Sequence, residues 1–113
     1  MKTNIVVNLT VEGLHFWKTC SIKEVDFLKN THRHLFYITC KKEVAHDDRD
    51  IEIIMFKRRI KEFLKENYYG DGIILKFGSM SCEMIAKELV QEFNLTYCLV
   101  LEDNENGAEV INI

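Results

Sequence analysis

Proline is absent from this chain of 113 residues. Turns must therefore rest on Gly, Asn and Asp, which reach tight or left-handed backbone conformations at low cost. A basic surplus is lacking too. Lys and Arg number 15 against 18 Asp and Glu, a net charge of −3. A sequence-independent nucleic-acid binder shows clustered positive charge, so neither DNA nor RNA is expected as the main ligand. No run of about 18 apolar residues occurs, which argues against a helical membrane span. The opening MKTNIVVNLTVEG has only a short apolar stretch, broken by Asn8 and Thr10. That is not the shape of a secretory leader, and the expectation is a cytoplasmic protein. Its cysteines, Cys20, Cys40, Cys82 and Cys98, lack CxxC spacing. Neither a zinc knuckle nor a thioredoxin-like motif is supported. In a reducing compartment they read as small buried hydrophobes.

What is present is ordinary for a globular domain: 47% apolar and 29% charged residues. The length argues for a single domain over 1–113. A domain of this size buries roughly two-thirds of its unfolded surface, enough for a core without staples.

Residues 3–11 are rich in β-branched side chains and predict a strand, with 14–17 as a short continuation beyond Gly13. Residues 18–31 read as a loop with a helical turn. Residues 32–45 predict a long strand whose imperfect alternation implies burial on both faces or a bulge. The polar break 46–50 offers Asp48 or Asp50 as a helix cap. Apolar Ile53, Phe56, Ile60, Phe63 and Leu64 recur at steps of three and four, predicting a helix over 51–66 that Gly70, Asp71 and Gly72 stop. Residues 73–77 are ambiguous. Ser79 or Ser81 opens a second helix with Glu83 in its first turn, and Met84 or Ile85, Leu89 and Phe93 form its stripe. Asn94 closes it. Strands follow at 96–102 and 108–113 around the turn 103–107. This order predicts an α+β fold: an antiparallel sheet of four strands with two helices on one face. Its exposed edges would invite pairing with further chains.

His32 and His34 form an HxH pair. Residues two apart on a strand share a face, about 7 Å apart, and their imidazoles can converge on one ion. His15 could supply a third ligand from the neighbouring strand. Three histidines with an open position suit zinc. His46 sits in a polar turn and reads as solvated. Glu102 and Asp103 follow the apolar run YCLVL. They are either a solvated hairpin shoulder or an acceptor for the paired N–H donors of a guanidine-like heterocycle edge. Glu83 suits a helix first turn. Lys57, Arg58, Arg59 and Lys61 read as a solvated helix face, or as a phosphate patch near a site mouth.

The order of these features resembles the 6-pyruvoyl-tetrahydropterin synthase and 6-carboxy-tetrahydropterin synthase family. There an early histidine precedes an HxH pair, and the three bind zinc; His15, His32 and His34 look like those ligands. Ile51–Lys57 is similar to the family's V-D-F-x-x-L-K helix start. Ser81–Ala86, with Glu83 at its acidic position, resembles T-x-E-x-x-A. Cys98–Asp103 looks like the strand that ends in a pterin-binding glutamate, here Glu102. The resemblance implies a T-fold, ββααββ subunits whose sheets join into a barrel, with sites between subunits and hexamers common. Two departures stand out. The stretch Phe27–Thr31 before HxH lacks the family's cysteine, and Cys20 lies twelve residues upstream of His32. The Asp-His pair between the helices has no counterpart in 67–80, which contains Asp71 but no histidine. His46, Tyr68 or Tyr69 would have to substitute as general acid or base.

The expectation is a protein that binds a purine- or pterin-like molecule at a subunit interface without standard synthase chemistry. Glu102 would anchor the ring, and Phe16, Trp17 or Phe36 would stack on it or serve as core. Such a protein could sequester or sense a nucleotide signal. The alternative is a zinc-dependent lyase or hydrolase of the same fold, and the third is a structural or interaction module.

Overall fold

β-Branched Thr3, Ile5, Val6, Val7, Thr10 and Val11 favour one long strand over the N-terminal segment. In the computed structural model, which describes residues 1–68 and 73–113, β1 runs unbroken over Thr3–His15. It pairs antiparallel with β2, His32–Val44, in one register from Thr3↔Val44 to His15↔His32. A short 3-10 helical segment, Lys23–Lys29, kinked at Val25, occupies the connection between them. Next come α1 (Ile53–Tyr68), β3 (Leu75–Gly78), α2 (Cys82–Phe93), β4 (Tyr97–Glu102) and β5 (Asn106–Ile111). The sheet order is β3-β1-β2-β4-β5.

The fold is α+β, as expected, but the sheet is mixed and has five strands. The ambiguous segment near 73–77 supplies the extra one. β3 pairs parallel with the end of β1, Gly13↔Leu75 and Leu14↔Lys76, before a register shift brings His15 opposite Gly78. The sheet is irregular at that point, between Leu14 and His15. β2 has no such irregularity against β1 or β4, and it is buried on one face at Phe36, Ile38 and Cys40 with a half-buried second face. The fifth strand is short because its segment, ending at Gly78 with φ +65°, turns at once into α2.

Alternation places Val7 and Leu9 of β1, Phe36, Ile38 and Cys40 of β2, and Cys98 and Val100 of β4 on one face of the sheet. There they form a single core with Phe56, Ile60 and Leu64 of α1 and Ile85, Ala86, Leu89 and Val90 of α2. A fully buried side chain of this kind contributes about 1.5–3 kcal/mol relative to exposure. Ile53 and Met84, both weighed for the apolar stripes, are 50% and 55% exposed. Each stands at a helix start, beyond the reach of the sheet.

The caps differ in part from expectation. Ser81 does open α2, accepting the Met84 N–H at 3.2 Å, and Asn94 closes it in the left-handed conformation. Neither Asp48 nor Asp50 caps α1. Glu52 does so, its two oxygens accepting from Ile54 and Met55 N–H at 2.9 Å each. Asp50 instead accepts from the Ala45 N–H at 2.7 Å and tightens the turn. The expected stop at Gly70, Asp71 and Gly72, and the candidate Tyr69, lie outside the described residues. No helix among the described residues is long and apolar enough to cross a membrane.

Candidate metal centre

His15 ends β1 and His32 begins β2, directly opposite in the register, while His34 lies two residues further along the same face of β2. The hairpin therefore brings all three imidazoles together at one end of the sheet. Their ring centroids are 4.5 Å (His15–His32), 5.0 Å (His32–His34) and 5.3 Å (His15–His34) apart. One nitrogen from each lies within 4.8 Å of the others.

The ring orientations are set by the other nitrogens. His15 Nδ1 donates to the Met80 carbonyl at 2.9 Å, and His32 Nδ1 to the Asn30 carbonyl at 2.8 Å. His34 Nδ1 donates to Asp103 Oδ2 at 2.7 Å. Carbonyl and carboxylate oxygens only accept, so each Nδ1 carries a proton, and in its neutral form such a ring offers its lone pair at Nε2. This is the outer-shell arrangement that fixes metal-binding histidines. His15 Nε2 and His34 Nε2 are buried and have no hydrogen-bond partner. Orphaned buried nitrogens are costly, and a divalent ion is a group that could satisfy them together. The residues fit zinc in donor type and number.

The floor of the site is apolar. Phe36 meets the edges of His15 and His34 at centroid distances of 5.3 and 5.7 Å and packs on Phe77 at 5.1 Å. Phe36 is fully buried and is core, not a stacking surface, whereas Trp17 is 43% exposed. Burial holds the pKa of His15 below its usual 6.5. Its Met80 bond and Glu102 oppose this, and His32 and His34 reinforce it.

A tight turn delivers the two carboxylates. Asp103 and Asn104 take φ of 54° and 59°, the left-handed pair that favours Asp and Asn. The Asp103 N–H donates to the Leu35 carbonyl at 2.7 Å, and its Oδ1 accepts from Leu35 N–H at 3.0 Å. Asp103 is thereby clamped beside His34, and these bonds hold its carboxyl below the usual 3.8. Glu102, the inward-facing neighbour, places Oε2 at 3.1 Å from His15 Nε2 and Oε1 at 3.6 Å from His34 Nε2. Cys82, the first residue of α2, donates its thiol to Glu102 Oε2 at 3.7 Å. Burial, with the Glu102 charge next, pushes that thiol up to about 12.

The three expected histidines thus meet, and Glu102 joins them. Glu83 does not: it is exposed in the first turn of α2, and none of the hydrogen bonds or ion pairs at the histidines involves it. His46 is exposed and lies 3.5 Å from Asp50, as its polar turn suggested. Cys20 is buried, its thiol directed to the Ile22 and Val25 carbonyls at 3.7 Å each. Arg58, Arg59 and Lys61 lie on the exposed face of α1. The Met80 and Asn30 carbonyls were missed because a backbone acceptor leaves no mark on residue type. Asp103 was visible as a carboxylate but not as the partner of His34.

No protein-family model matches this chain, and no curated protein matches it. Among solved structures it is similar to an uncharacterized protein, WS1659, from Wolinella succinogenes. The TM-score is 0.62 at 13% sequence identity, over 100% of this chain and 99% of that one. At this identity the likeness is one of fold alone.

Proposed function

We propose that this protein is a zinc-binding T-fold subunit that takes up a small purine- or pterin-like molecule at an interface between copies of itself. The observation that carries the metal reading is the pair of orphaned, buried Nε2 atoms of His15 and His34, with His32 completing the triad. A bound divalent ion would supply Lewis acidity to an oxygen or nitrogen of that molecule. Glu102, its side chain 31% exposed, is the acceptor for the ring's N–H edge. A nucleotide held by sequestration is one form such a ligand takes.

Open edges support the assembly. Among the described residues, β3 covers β1 only from Gly13 onward, so Thr3–Glu12 has one unpaired side, and β5 is the opposite edge. Strand edges of this kind pair with further chains, and a barrel, hexameric or otherwise, closes them. The synthase relay has no counterpart around the histidines among the described residues, which favours binding over turnover.

Elemental analysis of untagged protein tests the metal, beside the triple His15, His32 and His34 alanine variant. Near one zinc per chain, lost in the variant, supports the reading, and well-folded protein free of metal sinks it. Calorimetry with guanine and pterin nucleosides then tests the ligand class. Turnover of dihydroneopterin triphosphate, lost on His34→Ala, would replace the binding role with a lyase.

A further inference from the structure

We propose that Glu102 is a fourth protein ligand of the metal, so that the chain itself closes the site when no small molecule is bound. The inference rests on the metal reading above and departs from Glu102 as a ring anchor alone.

The carboxylate straddles two rings. Oε2 lies 3.1 Å from His15 Nε2 and Oε1 lies 3.6 Å from His34 Nε2. Neither approach is a hydrogen bond, since both nitrogens are without a partner. The Nδ1 protons of the same rings are committed to Met80 O and Asp103 Oδ2. With Nδ1 protonated, a neutral ring sets an unprotonated Nε2 beside an anionic oxygen with no proton to join them, a conflict that a shared cation removes. One divalent ion removes the conflict at both rings at once. Three imidazoles and one carboxylate make a four-coordinate N3O set, the number that zinc adopts in closed sites.

The carboxylate is also held as ligating carboxylates are. The Cys82 thiol donates to Oε2 from the first residue of α2, an outer-shell bond of the kind that orients a ligand. Glu102 faces inward from β4, opposite Phe36, so the metal would tie β1, β2 and β4 together. A small molecule reaches the metal only by displacing Glu102. The freed carboxylate is then available to the N–H edge of the incoming ring.

The test is visible absorption of the cobalt(II)-loaded protein titrated with azide. The wild type is expected to show an intense four-coordinate cobalt band that azide does not move. Glu102→Ala should bind azide, with a spectral shift, and hold cobalt more weakly by over about 10-fold, the lower end of what loss of an outer-shell partner costs. Glu102→Gln, nearly isosteric, repeats the comparison if the alanine variant folds poorly. Azide binding to the wild type as readily as to the variants overturns this inference and leaves the metal reading intact. Failure of the wild type to bind cobalt or zinc overturns both.

Discussion

His34 and Asp103 sit 69 positions apart in the chain, yet Nδ1 and Oδ2 are 2.7 Å apart and the Leu35 N–H holds the other carboxylate oxygen at 3.0 Å. One aspartate thus fixes both the tautomer of a ring of the histidine triad and the hairpin beside it. Asp103→Asn keeps a residue that tolerates φ of 54° but leaves one acceptor oxygen for two donors. Zinc affinity is expected to fall by about 10-fold, at the mild end of outer-shell losses. Competition against a chromophoric chelator reads this directly, and unchanged affinity would remove Asp103 from the site.

The triad was legible because strand periodicity alone puts His32 and His34 on one face and an early strand carries His15. Glu102 was legible as a carboxylate ending a buried strand, where a charge needs a partner. Its actual partners were not, because they depend on how far β4 slides along β2: Phe36 pairs with Glu102, not His34. β3 escaped for a similar reason. Four residues carry too little periodicity to distinguish a strand from a loop, and only the core position of Leu75 and Phe77 decides it.

Gly13 is required by the floor beneath the histidines. A Cβ there would lie 2.7 and 2.9 Å from the Phe77 ring and 3.0 Å from that of Phe36. Both rings are buried and packed on each other, so neither can retreat freely. Gly13→Ala is expected to cost about 1–3 kcal/mol by overpacking, measured by urea denaturation. Metal affinity should fall with it, since Phe36 abuts His15 and His34. A neutral substitution would mean that the floor is loose.

All four cysteines are buried: Cys20 at 3%, Cys40 at 0%, Cys82 at 6% and Cys98 at 0% exposure. The Cys82 thiol is raised to about 12 and that of Cys98 is raised further, first by its bond to Cys40 and then by burial. Thiols of this kind are inert, because the thiolate is the nucleophile. Native protein at pH 8 should resist an alkylating reagent that labels all four in denaturant, as mass spectrometry would show. Rapid labelling of Cys82 in native protein would contradict its placement behind Glu102.

Glu52 makes stability at the start of α1 depend on pH. Bonds from the Ile54 and Met55 N–H hold its carboxyl below the usual 4.5. A depressed folded-state pKa means stability that is fully present above the unfolded value and lost as pH falls through the folded one. The Tm difference between wild type and Glu52→Ala should therefore be constant above pH about 5 and shrink towards zero at lower pH. A difference that persists in strong acid would show that the carboxylate is not the cap.

Zinc should stabilise the native chain, because the histidines converge only when β1 and β2 are paired. A ligand at 100 times its dissociation constant raises the unfolding free energy by about 2.7 kcal/mol, less whatever the unfolded chain binds. The urea midpoint should accordingly rise on adding zinc and return with excess chelator. His32→Ala is the informative control. That ring is only half-buried, so its loss should change the metal-free midpoint little while removing most of the zinc-induced shift. Equal shifts in both proteins would place the ion elsewhere, and no shift in either would mean that the folded triad does not select a metal at all.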